Sequence, residues 1–148
     1  MGKIKYQTVK RLSAVDAAYL AGIIDGEGTI ALTRRNIRER RHAAITIANT
    51  DLDMLKWVKN AVGVGNISSK RTYNEKWTPS YVYNVACQQA LSILKQVTPH
   101  LKTGKRERAR LLLESYTAVT ARNGKYTEEQ LRKRAELEKK FFAIKTRA

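Results

Sequence analysis

A single cysteine, Cys87, in 148 residues excludes an internal disulfide and cannot by itself build a thiolate zinc site. Two prolines and eight glycines exclude a collagen-like or low-complexity chain. No apolar run approaches the roughly 20 residues of a membrane span, and no charged-then-apolar leader precedes a cleavage site. The expected setting is therefore reducing and intracellular, without a membrane partner. Negative charge is also in short supply: 13 Asp and Glu stand against 29 Lys and Arg, a net +16. Apolar residues, in contrast, make up 43% of the chain, enough to bury a core, so wholesale disorder is excluded. The length fits one domain over 1–148, with a loose basic lead-in at 1–12 and a C-terminal helix at 127–145.

The positive excess is spread through the body. Residues 1–74 hold 13 basic against 6 acidic side chains (+7), and residues 75–148 hold 16 against 7 (+9). A folded domain so charged repels itself unless a polyanion is its partner. Nucleic acid fits through phosphate neutralisation. An anionic membrane would need a bulky amphipathic surface helix.

Ser13 followed by Asp16 has the form of a capping box, with helical spacing over 14–24 until Gly26 and Gly28 stop it. Ile30 and Leu32 then alternate with polar or small residues as a half-buried strand. A basic turn at 36–41 leads to a second strand with Ile45 and Ile47 on one face. Asn49-Thr50-Asp51 starts a helix carrying Leu52, Leu55, Val58 and Val62, ended by Gly63. Strands over 66–73 and 81–87 flank a turn-like 74–80, and helical spacing returns through Leu91, Leu94 and Val97. Beyond Pro99 a long helix spans 105–121. Asn123-Gly124 marks a turn, and Thr127 with Gln130 opens the final helix, whose Leu131, Leu137 and Phe141 pack back on the body. This order predicts an α+β fold, an αββαββα core whose antiparallel sheet carries helices on one face only.

The other face of that sheet is then exposed. Its expected residues are Thr29, Ala31, Thr33 and Arg35, then Ala44, Thr46 and Ala48, then Asn66, Ser68, Lys70 and Thr72, and finally Val82, Asn84 and Ala86. Arg38, Arg40 and His42 join it at the basic turn. Such a face is either an ordinary solvated surface or one that lies in a DNA groove and reads base edges, and the charge favours the second. Trp57 is expected in the core, Trp77 near the DNA backbone, His100 in a structural role, and Cys87 as a small buried hydrophobe.

The sharpest local feature is Leu20-Ala21-Gly22-Ile23-Ile24-Asp25-Gly26-Glu27-Gly28. Ala18, Ala21, Gly22 and Asp25 fall at i, i+3, i+4 and i+7, a stripe with little bulk that predicts close approach of a second helix. If that helix belongs to another copy of the chain, two-fold symmetry follows. The Gly-Glu-Gly turn would hold the Glu27 carboxylate, with nearby backbone carbonyls, where a hard divalent cation could be coordinated.

The segment LAGIIDGEG resembles the motif of the LAGLIDADG homing endonucleases, departing mainly in Gly26 for the second Ala and Glu27 for the final Asp. The resemblance implies a saddle-shaped sheet on long pseudo-palindromic double-stranded DNA. One motif per chain implies a homodimer, with Ala18, Ala21, Gly22 and Asp25 in the helix–helix interface. It implies Mg²⁺-dependent phosphodiester hydrolysis leaving 3′ overhangs, with Mn²⁺ or Ca²⁺ as substitute ions, in intron or gene homing. Glu27 matches the metal-binding catalytic carboxylate and Gly26 the residue whose carbonyl assists. Lys105, after Pro99, matches the active-site lysine, with Lys102 as the fallback, and Asn49 matches a residue that orients water. Relatives occur in organelles, bacteria, phages and archaea. The rival readings are an intron maturase that binds intron RNA on the same fold and a DNA-binding regulator that does not cut.

Overall fold

Ser13 opens the first helix by accepting a hydrogen bond from the Asp16 backbone N–H (3.1 Å), and α1 runs Ala14–Glu27. In this computed structural model, which describes residues 7–70, 76, 78–121 and 125–146, the chain continues through β1 (Gly28–Thr33), β2 (His42–Asn49), α2 (Leu52–Val62), β3 (Asn66–Ser69), β4 (Tyr81–Ala86) and α3 (Cys87–Val97). A 3₁₀ turn at Thr98–His100 leads to α4 (Lys105–Ser115), and α5 (Glu128–Ala143) closes the chain behind a full Thr127–Gln130 capping box.

The element order is the expected one, but some boundaries and surroundings differ. α1 continues through Gly26, so Glu27 is its last residue and not part of a free turn; the Gly28 N–H closes the helix on the Ile24 carbonyl. A side chain at Gly28 would place its Cβ 2.9 Å from the Ile24 Cα, which is why β1 can begin directly under the helix. α4 ends at Ser115, well short of residue 121. The β-branched Thr117, Val119 and Thr120 favour helix poorly, and Arg134 from α5 takes the Val119 carbonyl (3.3 Å). Residues 7–12 are held, not loose: Lys10 N–H donates to the Val62 carbonyl (2.9 Å) and Leu12 N–H to Gln96 Oε1 (2.7 Å). Cys87 is exposed, not buried. It takes a left-handed backbone (φ 58°) at the sharp corner from β4 into α3. Thr72, Trp77 and the Asn123-Gly124 turn lie outside the described residues.

The four strands form one antiparallel sheet in the order β1-β2-β4-β3. Ile30 and Leu32, Ile45 and Ile47, and Tyr83 and Val85 point to one face, where they meet Leu20 and Ile24 of α1, Leu55 and Val58 of α2, and Leu94 and Val97 of α3 in a continuous buried core. The outer edge of β1 would offer unpaired carbonyls. Two arginines cover it: Arg108 Nη1 donates to the Ile30 carbonyl and Arg41 Nη1 to the Leu32 carbonyl, both at 3.3 Å. Burial lowers the Arg108 pKa, and its guanidinium stacks 4.6 Å over the Phe141 ring. Among the described residues no helix is long and apolar enough to cross a membrane.

Tyr83 joins the sheet to the loop before β3. Its hydroxyl donates to the Val64 carbonyl (2.8 Å), and burial pushes its pKa up. Gly65, at φ 95°, packs so closely that a Cβ there would sit 2.5 Å from the Tyr83 ring. Gly65→Ala is therefore expected to cost about 2 kcal/mol or more, from backbone strain and overpacking together. Urea denaturation checks this as a lower midpoint at unchanged slope.

Candidate active site and nucleic-acid interface

The C-terminus of α1 and the N-terminus of α4 hold one another through two reciprocal contacts. The Asp25 carboxylate accepts the backbone N–H groups of Lys102 (2.7 Å) and Thr103 (3.3 Å) and the Thr103 hydroxyl (2.6 Å). In return, Lys105 Nζ donates to the carbonyls of Ile24 (2.9 Å) and Asp25 (2.8 Å). Each charge sits where a helix end favours it, a carboxylate at the start of α4 and an ammonium at the end of α1. Both residues are engaged within the chain. Asp25 uses its carboxylate to hold the start of α4. Lys105, only 8% exposed, turns its ammonium onto the helix carbonyls beneath the Gly26-Glu27 step. Lys102 is exposed, and its contact with Asp25 is through the backbone.

Lys105→Met keeps the unbranched stem up to the ε position and removes the charge-assisted bonds to two carbonyls. It is expected to lower stability by about 2 kcal/mol, read as a lower urea midpoint, and to loosen the α1 terminus, read as faster amide exchange at Gly26–Gly28.

Glu27 and Gly26 are both exposed at this terminus. The last four carbonyls of a helix lack intrahelical partners. That of Ile24 is taken by Gly28 N–H and Lys105 and that of Asp25 by Lys105; the Gly26 carbonyl is next in the series. A carboxylate, a helix-end carbonyl and the negative end of the α1 dipole make an oxygen-donor site suited to a hard divalent cation that keeps open positions for water and phosphate. Among the described residues no three His, Cys, Asp or Glu side chains converge on one point. Asn49 ends β2, two residues beyond Ile47, the partner of Gly28, and so lies at the same end of the sheet as Glu27. Its Oδ1 accepts the Asp51 N–H (2.8 Å) and shapes the turn into α2.

The exterior of α1 is apolar but uncovered. Val15 is 78% exposed and Tyr19 54%, and Ala18, Gly22 and Gly26 continue the same stripe. A Cβ added to Gly22 or Gly26 would meet nothing within 4 Å. Ala21 does not belong to this stripe: it is fully buried, on the Ala17–Leu20–Ala21–Ile24 side that faces the core. The i+3 step from Ala18 rotates it past the edge of the exposed stripe.

On the open face of the sheet, strand register lines the side chains into transverse rows. Thr29, Thr46, Asn84 and Asn66 cross all four strands as one polar row. On one side of it stands a row of three methyls, Ala31–Ala44–Ala86, and beyond them the Thr33–His42 pair. On the other side stand Ala48, Val82 and Ser68, with Lys70 continuing past β3 through its N–H to the Ser80 carbonyl (2.7 Å). Arg35, Arg38 and Arg40 are exposed on the β1–β2 turn. Ala44 is a correction: with 1% exposure, its methyl on an inner strand lies below its neighbours and cannot touch a docked duplex.

A family model described as a LAGLIDADG-like domain matches residues 14–116. The chain belongs to the LAGLIDADG family. Solved structures agree in fold. The homing endonuclease I-CvuI, in complex with its target in the presence of Ca, superposes with a TM-score of 0.69 at 20% identity, covering 91% of this chain and 85% of that one. The archaeal intron-encoded homing endonuclease I-Vdi141I, complexed with DNA, gives a TM-score of 0.70 at 16% identity over 90% and 86%. I-SmaMI bound to cleaved DNA gives 0.59 at 21% identity over 96% of this chain and 52% of that one. Among curated proteins no relative matches.

The LAGLIDADG helix is therefore α1, and its terminus brings Gly26, Glu27, Asp25 and Lys105 together, with Asn49 at the same sheet end. Spacing did not reveal the reciprocal use of Asp25 and Lys105, because they are 80 residues apart. The sequence carried one usable signal: α1 has no basic residue in its own last turn, so a cation for its carbonyls had to come from elsewhere.

Proposed function

We propose that this LAGLIDADG chain is a site-specific double-strand DNA endonuclease acting as a homodimer on a long pseudo-palindromic target in intron or gene homing. The observation that carries the reading is the exposed Glu27 carboxylate, placed where an uncovered small-residue helix face meets an open, polar sheet face in a protein of net charge +16. Pairing α1 with its copy would cover Val15, Ala18 and Gly22 and bring two Glu27 residues to one axis, each served by its own sheet. The match to half of the longer I-SmaMI chain, with nearly all of this one, supports a unit that works in pairs. Two sheets in line, with about +32 charges in all, would steer a duplex onto the polar rows.

Phosphodiester hydrolysis needs water in line with the leaving oxygen and stabilisation of charge on both oxygens. Mg²⁺, with Mn²⁺ or Ca²⁺ as substitutes, supplies that stabilisation when bound. Glu27 and the Gly26 carbonyl would hold the ion. Lys105 fixes the carbonyls behind them, and Asp25 fixes α4, which carries Lys105. Asn49, with its oxygen committed to the α2 turn, offers its amide N–H₂ to orient water. Each protomer cuts one strand, leaving 3′ overhangs.

The test is selection of cut molecules from a randomised palindromic duplex library with Mg²⁺ and with EDTA. Enrichment of one two-fold site with Mg²⁺ alone is expected. No cut product, together with tight binding to a structured intron RNA, would replace this reading with an RNA-splicing role.

A further inference from the structure

The β1–β2 turn and α5 line a cleft of about 360 Å³ that includes neither Glu27 nor any residue of the four strands; Arg38 and Arg40, expected beside the open sheet face, are part of this cleft. Five arginines line it: Arg34, Arg38, Arg40, Arg41 and Arg134. We propose that this cleft seats a backbone phosphate of the bound duplex, a contact distinct from base reading on the sheet; the inference rests on the DNA-binding part of the proposed function.

Arg134 is the buried member of the cluster. It is 6% exposed, and its guanidinium donates only to neutral acceptors: the Val119 carbonyl (3.3 Å), the Thr120 hydroxyl (3.2 Å) and the Arg41 carbonyl. Its Nε is buried with no hydrogen-bond partner, and the rings of Tyr116 and Tyr126 lie 5.8 and 5.6 Å from the guanidinium. A buried cation is normally balanced by an anion, because leaving it alone carries a large desolvation cost. Here none of the five guanidinium groups is ion-paired with a described carboxylate. Of the two acids in the lining, Glu39 is committed to Arg35 at 3.2 Å, and that residue's backbone N–H holds the Glu39 carboxyl below its ordinary pKa. Glu138 is the other, against five positive charges.

The rest of the lining is arranged around the opening. Asn36 Oδ1 accepts the N–H groups of Arg38 (2.9 Å) and Glu39 (3.2 Å), which fixes the turn. Arg40 stacks on Tyr126 (4.3 Å) and Arg41 on Phe142 (4.9 Å), so both are held in place by rings. Arg34 and Arg38 remain exposed at the mouth. Planar guanidinium groups around a fixed cation suit a paired oxyanion, not a hydrophobic partner; in a protein that docks on a duplex, the oxyanion in reach is a backbone phosphate. The strand between Glu27 and the turn spans six residues, so the seat lies roughly 17–20 Å from the cutting end. That places it on the flanking backbone of the half-site.

The test measures affinity for a 40-base-pair mixed-sequence duplex by fluorescence anisotropy across a KCl series. Proteins compared are the wild type, the Arg34→Glu/Arg38→Glu variant, and Lys59→Glu/Lys95→Glu, an equal charge reversal on helix surfaces. The expected result is that the arginine variant reduces the slope of log K against log [KCl] by about 1 to 2, one phosphate accounting for about 0.9, and the lysine variant by less than half as much. Equal effects of the two variants overturn the cleft and leave DNA binding intact. No affinity of the wild type for the duplex overturns the DNA reading itself.

Discussion

Glu27→Gln is expected to slow DNA cutting by about a thousandfold or more while duplex affinity stays within a few-fold; a loss of this size is typical when a charge-stabilising group is removed from a reacting centre. The substitution keeps shape and hydrogen-bonding capacity and removes only the negative charge. Glu27 is exposed at the C-terminus of α1, where a carboxylate opposes the helix dipole. The variant should therefore be as stable as the wild type or more so, by about 0.3–1 kcal/mol. A stability gain together with lost cutting separates chemistry from folding. Single-turnover cleavage of a selected target, with a thermal melt on the same preparation, checks both. Cutting at the wild-type rate would remove Glu27 from the mechanism.

Gly22→Leu is expected to convert the dimer to a monomer and to abolish double-strand cutting. Within one chain a Cβ at Gly22 meets nothing within 4 Å, so the larger side chain starts into open space. Replacing a helical glycine by leucine should even add close to 1 kcal/mol of helix stability. Across a two-fold axis the same side chain enters twice, and overpacking costs about 1–3 kcal/mol each time. Together that is about 2–6 kcal/mol, and at 1.4 kcal/mol per tenfold the proposed dimer should weaken by about 30-fold or more. Sedimentation equilibrium across a concentration series reads this directly. An unchanged dimer mass would place the interface on another surface. Ala21→Leu is no substitute for this variant, because Ala21 faces the core and its enlargement would act on folding.

The two predictions draw on different amounts of sequence legibility. Helix and strand order could be read because the periods switch cleanly: Leu55, Val58 and Val62 repeat at helical spacing, whereas Ile30, Leu32, Ile45 and Ile47 alternate. Helix starts were legible wherever a side chain caps, as at Ser13, Asp51 and Thr127. Ends were less so. Gly26 has the composition of a helix stop, but tertiary contacts from Asp25 and Lys105 carry α1 past it. Small size alone could not decide which way a residue faces, so Ala21 and Ala44 were assigned to exposed surfaces that each only borders. Lys105 was found by its distance from Pro99, but its orientation depends on helix carbonyls about 80 residues away, which no local pattern encodes. The α5 arginine cluster carries the same lesson. Arg134 sits in a helix rich in charge, and its burial among neutral acceptors distinguishes it from the others.

The central claim is that two copies of one Gly26–Glu27 helix end cut the two strands of a single duplex. The product formed from a supercoiled plasmid carrying the selected site, with Mg²⁺, tests it most directly. The account predicts linear DNA whose ends map symmetrically about the site's two-fold axis as 3′ overhangs, with a dimer as the active species. Nicked circles as the final product, or cutting by a species with the mass of one chain, would contradict it.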